Sequence, residues 1–338
     1  MIYFMDFIFL SKFRVMSRIL TGIQSSGTPH LGNVLGAILP AIELSKKHES
    51  FFFIADLHAL TTIKNKDELV LNTLNTAAAW MACGLDKKNS ILYKQSDIPQ
   101  VTELMWYLSC ITPYPMLANA HSFKDKANKL SDVNAGLFTY PVLMAADIIL
   151  YDADIIPIGK DQIQHIEITR DIAIKFNNTF GDTFIIPVSK VDDQHMIIPG
   201  TDGNKMSKSY NNYINIFSDE SVLKKQIMSI VTDSKGLEEP KTPETCKIFQ
   251  IYKLIASEYQ IKQVEYNYKN GGYGYGHAKT ELFELILEKF KIERQKFKDL
   301  INDPTELEAE LKRGSQIAQE VADSVLNKVK NNLGLVRA

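Results

Sequence analysis

Apolar residues along the chain follow two periods. Short runs rich in β-branched and aromatic residues predict strands over about 18–23, 51–56, 91–95, 154–158 and 184–188. Between them, apolar positions at helical spacing predict helices over about 34–47, 67–83, 100–110, 136–151 and 161–177. Strand and helix in alternation predict an α/β fold: a Rossmann-like parallel sheet that binds nucleotides at the carboxyl ends of its strands. From about residue 218 the pattern is helical, with charged faces around positions such as Leu282, Leu285, Ile286 and Phe290. Gly271-Gly272-Tyr273-Gly274-Tyr275-Gly276 breaks it once. The pattern therefore predicts an α/β unit over 16–217 and a helical region over 218–338.

Composition narrows the class. A chain of 338 residues with 45% hydrophobic content can bury a sizeable core in two domains. A formal charge of −2 means that any RNA partner must be met by local patches. Cys83, Cys110 and Cys246 are far apart, which fits a reducing cytoplasm and argues against structural zinc. No apolar run approaches the roughly 20 residues that cross a membrane. Residues 1–15 are apolar around Asp6 but lack the early positive charge and small-residue cleavage site of a signal peptide, and they read as an extension outside the fold.

Three segments carry candidate chemistry. After the first strand, Gly22, Gln24, Ser25, Ser26 and Gly27 form a turn-rich stretch, and a helix opens near Pro29 and His30. Its free N–H groups and positive dipole end suit phosphate, and Gly36, one turn after Gly32, would let that helix pack tightly on a neighbour. The glycines do not fit the Gly-x-Gly-x-x-Gly spacing, and the segment alone also reads as an ordinary strand–loop–helix corner. Lys205-Met206-Ser207-Lys208-Ser209 lies in a glycine-containing loop. Its lysines can act as charges on a leaving pyrophosphate and its serines as donors, although a solvated basic loop has the same composition. Tyr140, Met144 and Asp147, spaced by four and three, share one helix face. One acceptor among apolar, polarizable residues would suit an aromatic ligand with a single donor; a buried helix with one satisfied aspartate is the alternative.

Taken together, Pro29-His30-Leu31-Gly32-Asn33 and Lys205-Met206-Ser207-Lys208-Ser209 resemble the two signatures of class I aminoacyl-tRNA synthetases. The stretch from Gly136 to Asp171 resembles the tryptophanyl-tRNA synthetases, and the similarity runs from about Arg18 to about residue 335. Tyrosyl relatives have glutamine at the position of Met144. The resemblance implies activation of L-tryptophan by ATP, with its magnesium, to tryptophanyl-adenylate and pyrophosphate, then transfer to tRNA(Trp). It implies catalytic roles for Lys205, Ser207, Lys208, Ser209 and Lys126. ATP would meet Gln24, Ser25, Ser26, His30, Gly32, Asn33, Gly159, Lys160, Asp161 and Met206. Tryptophan would meet Gly22, His58, Tyr140, Met144, Asp147, Ile156, Ile158 and Gln162, with His58 in the polar end of a buried strand read over Phe53–Ala59. The family pattern further implies a homodimer formed largely through 111–175, and anticodon recognition by the helical region. With three cysteines the chain cannot hold the four-cysteine iron–sulfur cluster of some relatives. Leu20 and Ser25 depart from the family's usual aromatic residue and proline. A tyrosyl enzyme and a catalytically silent RNA- or tryptophan-binding paralogue are the competing readings.

Residues 1–15 have no counterpart in the family pattern. A chain starting at Met16 should keep its melting temperature and aminoacylation rate within error. A drop of several degrees in a thermal melt would mean that Phe7, Phe9 and Leu10 pack on the fold, since about 1 kcal/mol moves the midpoint by only a few degrees.

Overall fold

A computed structural model describes residues 17–120, 123–124, 133–159, 162–191 and 198–336. The expectations for residues 1–15, Lys126, Lys160 and Asp161 lie outside the described residues. Strand β2 (Glu49–Ala55) sets the architecture, because Phe51, Phe52, Phe53 and Ile54 are all buried. An apolar run of this kind is stable only with both sheet faces covered, as in a parallel sheet wrapped by helices. β1 (Arg18–Gln24) pairs with β2 along its length, from Arg18 opposite Glu49 to Gln24 opposite Ala55. β3 (Ser90–Lys94), β4 (Ile155–Ile158) and β5 (Val188–Val191) complete a parallel sheet of order β3-β2-β1-β4-β5. Alternate side chains enter two cores: Ile19, Phe52, Ile54 and Leu92 on one face, Leu20, Phe51, Phe53 and Tyr93 on the other.

Most predicted elements fall within two or three residues of the observed ones. The helical run after β1, α1 (residues 31–45), joins Leu31–Asn33, a π-helical stretch Val34–Ile38 and Leu39–Ser45. Pro40 has no N–H to give to an ordinary helical turn, and the Leu39 N–H reaches back five residues to Val34. Gly36 does not serve close helix packing as expected. A Cβ there would meet nothing within 4 Å, and the residue faces a cavity. His58 does not sit at a strand end but inside a short helix, α2 (Asp56–Ala59). The last predicted strand, 184–188, is displaced: β5 starts at Val188. Phe184 packs against Phe176, Asn177 bonds its backbone N–H and carbonyl, and Arg170 takes the Pro187 carbonyl. Proline brings no donor, so this segment packs where it was expected to pair.

α3 (Lys66–Ala82), α4 (Pro99–Ser109), α5 (Tyr114–Ala118), α6 (Ala135–Ile149) and α7 (Ile163–Phe180) cover the sheet. Beyond β5 come α8 (Glu220–Met228), α9 (Lys247–Tyr252), α10 (Glu258–Asn270), α11 (Tyr275–Lys289) and α12 (Lys291–Asn302). The last helix, α13 (Thr305–Asn332), leaves this helical group and returns to edge strand β3. Arg313 donates to the Ser90 carbonyl, Ser315 to the Asp97 carboxylate and Gln319 to the Asp97 carbonyl. Gly314 makes the approach possible, since a Cβ there would lie 1.9 Å from the Leu92 carbonyl oxygen.

That contact yields a stability prediction. Gly314→Ala should lower the melting temperature by several degrees. The gain in helix propensity is about 1 kcal/mol, whereas overpacking against a strand carbonyl costs about 1–3 kcal/mol or more. An unchanged or raised midpoint would contradict this packing.

Candidate active site

β1 lies at the point where the strand order reverses, so a crevice opens at the carboxyl ends of β1 and β4. A cavity of about 330 Å³ occupies it. All eight residues expected to meet tryptophan line this cavity: Gly22 on β1, His58 on α2, Tyr140, Met144 and Asp147 on α6, Ile156 and Ile158 on β4, and Gln162 before α7. Gln24 and Gly159 line it too. Sequence reasoning did not single out Thr21, Pro40 or Phe53 as walls. Phe53 could have been found from the register. It stands opposite Gly22, where a Cβ would fall 2.3 Å from its ring, so glycine lets the ring lie across the strand.

Asp147 is the polar centre, 2% exposed. His58 Nε2 lies 2.7 Å from Asp147 Oδ2, and Gln95 Nε2 donates to both carboxylate oxygens at 2.8 and 2.9 Å. Burial pushes the Asp147 carboxyl up, while the His58 and Gln95 hydrogen bonds pull it back. Tyr140 is wedged between two imidazoles, with ring centroids 4.6 Å from His58 and 5.7 Å from His165. Burial, then the Asp147 charge, pushes its phenol up to about 12, so it remains protonated. Gln162 is oriented by a 3.0 Å contact between its Oε1 and His165 Nδ1. The Gln24 amide donates to the His58 carbonyl, tying β1 to α2.

The two loop segments meet at the start of α1. His30 caps the helix: its Nδ1 accepts from Asn33 N at 3.3 Å, while Asn33 Oδ1 accepts from His30 N. The Leu31 N–H goes to the Ile214 carbonyl and the Gly32 N–H to Met206 Sδ at 3.3 Å. The expectation of free amides for phosphate is thus corrected: the amides of Leu31, Gly32 and Asn33 are engaged within the protein. A thioether is a weak acceptor, so the Gly32 amide is the least committed. Ser25 is buried and does not line the cavity, whereas Ser26 is exposed. Gly159 keeps its carbonyl on the Gln162 amide.

The lysine loop is built around Asn212, which sequence reasoning missed. Asn212 Oδ1 accepts from Ser207 N, and its Nδ2 donates to Asp202 and to the Lys205 carbonyl. Gly200 is needed beside it, because a Cβ would lie 2.5 Å from Asn212 atoms. Ser207 Oγ accepts from Ser209 N, and Lys205 bridges to Pro199. The lysine side chain of Lys208 lies over Gly27, whose φ of +115° favours glycine. Burial pulls the Lys208 ammonium down to about 8; burial and then Lys208 pull His30 down to about 4. At neutral pH the pair is therefore one cation beside a neutral imidazole.

The unfolded Lys208 titrates near 10.5, so between about pH 8 and 10.5 the unfolded chain binds more protons. Stability rises with pH across that window, while charge available to an anion is lost. Affinity for a polyphosphate anion at this site should accordingly weaken above about pH 8, by at most about tenfold per pH unit. Lys208→Arg, which stays charged, should flatten the decline. Equilibrium titration with an ATP analogue from pH 6.5 to 9.5 checks this; a decline unchanged in Lys208→Arg would contradict it.

A family model, tRNA synthetases class I (W and Y), matches residues 13–291. A tryptophan–tRNA ligase from Campylobacter jejuni is 47% identical over 318 residues, covering 94% of this chain and 100% of the relative. One from Rhodopirellula baltica is 46% identical over 318 residues, covering 94% and 99%. The crystal structure of tryptophanyl-tRNA synthetase from Campylobacter jejuni complexed with ADP and tryptophan aligns with a TM-score of 0.90 at 47% identity, covering 94% of this chain and 99% of that one. With the paired signatures, the parallel sheet and identity near one half over full-length relatives, this chain belongs to the class I tRNA synthetases, on their tryptophanyl branch.

Proposed function

We propose that this chain is a tryptophan–tRNA ligase that seats the indole N–H of tryptophan on Asp147. The observation that carries the reading is the buried Asp147 carboxylate, presented by α6 into a cavity walled by Met144, Phe53, Ile156 and Ile158. A charged acceptor rewards a ligand with one donor, and the thioether and rings suit an aromatic body. Met144 stands where a phenol-binding amide would favour tyrosine.

In the reaction, a tryptophan carboxylate oxygen attacks the α-phosphorus of ATP and the bond from that phosphorus to the α,β-bridging oxygen breaks, releasing pyrophosphate. A terminal ribose hydroxyl of tRNA(Trp) then attacks the activated carbonyl carbon, forming the ester and releasing AMP. No covalent protein intermediate is needed, so rate comes from positioning and charge stabilisation. Lys208 and Lys205 stabilise the departing pyrophosphate, with Lys126 as a further phosphate contact, and Ser207 and Ser209 donate to it. His30, Gly32, Asn33, Ser26, Met206, Lys160 and Asp161 would frame the nucleotide, whereas Ser25 is fully buried and has no exposed surface for it. Among the described residues no cluster of three or more His, Cys, Asp or Glu could hold a metal. Magnesium would arrive on the phosphates of ATP, as that ion commonly does.

The helical residues 218–338 serve the tRNA anticodon in this reading, and the chain works in the cytoplasm. Among the described residues no helix is long and apolar enough to cross a membrane. A homodimer would cover Trp106 and Tyr114, which are 68% and 71% exposed and lie beside or within the 111–175 segment.

The purified protein should catalyse ATP–pyrophosphate exchange with tryptophan and far less with tyrosine or phenylalanine. Asp147→Asn should raise the Michaelis constant for tryptophan about 10- to 150-fold, from loss of about 1.5–3 kcal/mol in a hydrogen bond to a charged group. Wild-type efficiency in that variant would overturn the role of Asp147.

A further inference from the structure

We propose that Gln95 is the positioning residue that fixes Asp147 as an acceptor-only carboxylate, and so decides that the ligand group meeting Asp147 must be a hydrogen-bond donor. The proposal rests on the tryptophan reading above and assigns a role to a residue outside both signatures. Gln95 is fully buried. Its Oε1 accepts from the backbone N–H groups of Leu57 and His58 at 3.1 and 3.3 Å. Those two donors settle which end of the amide is oxygen, so Nε2 faces Asp147. Gln95 therefore offers the carboxylate donors only. A proton on Asp147 Oδ1 would confront the Gln95 N–H where it needed an acceptor, and so would one on Oδ2 when His58 carries its proton on Nε2.

The lone pairs then number themselves. Asp147 takes two contacts from Gln95 and one from His58. An ionised carboxylate has about four lone-pair sites, which leaves one for the ligand. The amide is held from both sides. It begins the 3₁₀ turn Gln95–Asp97, where Asp56 binds Ser96 N and Oγ at 2.9 and 2.5 Å. On the other side Ser315 and Gln319 of α13 hold Asp97 at 2.8 and 2.7 Å. The titratable groups around the pair are His58, Tyr93, Tyr140 and Tyr151, with Asp56, Lys94 and Asp97 on or against the turn.

The test uses the full-length protein and two variants, with ATP–pyrophosphate exchange measured for tryptophan and for the benzothienyl analogue of alanine, which has sulfur in place of the indole N–H. Gln95→Met should lower kcat/KM for tryptophan about 10- to 100-fold, mostly through KM, while the analogue changes less than about threefold, so discrimination collapses. Equal losses for both substrates, or no loss, would overturn the proposal in favour of simple packing. Gln95→Glu keeps an oxygen for the Leu57 and His58 amides and donates to Asp147 only while its carboxyl is protonated. Its tryptophan kcat/KM relative to wild type should stand highest near pH 6 and fall at least about tenfold by pH 9.5, as two carboxylates come to face each other. A ratio that is flat or rises with pH overturns the proposal, and this profile decides the matter if Gln95→Met does not fold by circular dichroism. Wild-type exchange with tryptophan is the control: its absence would bring down the tryptophan reading itself.

Discussion

A carboxylate buried at the end of a parallel sheet is the constraint on which the rest of this site depends. Asp147 is almost inaccessible, and an ionised group in such a place is stable only if surrounding donors replace water. Two elements converge on the carboxylate of α6 to supply them: α2 brings His58, and the turn after β3 brings Gln95. Each is positioned by the sheet. The phenylalanine run of β2 locks the central strands together, Gly22 lets the Phe53 ring cross β1, and α13 braces the turn that carries Gln95. The polar centre and the apolar walls are consequences of one packing arrangement.

The nucleotide side is organised differently. The start of α1 spends its first amides on His30, Ile214 and Met206, so anion affinity shifts to a lysine partly withdrawn from water. Neutral His30 beside Lys208 avoids a second buried charge. The thioether contact from Met206 to Gly32 joins the lysine loop to the helix through the weakest acceptor in the group.

Much of this was legible in the sequence because local chemistry wrote it there. The 2.0 and 3.6 periods placed the sheet and its helices, and the spacing of Tyr140, Met144 and Asp147 placed three cavity residues on one face. Apolar content alone misread Phe184 to Pro187, because a run that packs and a run that pairs look alike until proline and an asparagine clamp are weighed. Gln95 and Asn212 escaped notice for a common reason: each matters through partners distant in sequence or through the backbone, and neither belongs to a family signature. Gly36 was misjudged because a glycine beside a cavity and a glycine at a helix crossing have the same letter. The return of α13 to β3 was hidden likewise, since only the Leu92 carbonyl explains Gly314.

The central claim is that Asp147, held as an acceptor by Gln95 and His58, receives the indole N–H. A crystal structure of this protein with tryptophan bound tests it most directly. The account predicts the indole nitrogen within hydrogen-bond distance, about 2.7–3.2 Å, of an Asp147 oxygen, with the Gln95 and His58 contacts retained. An indole nitrogen directed to another group, or an Asp147 released from Gln95 when the ligand binds, would contradict it.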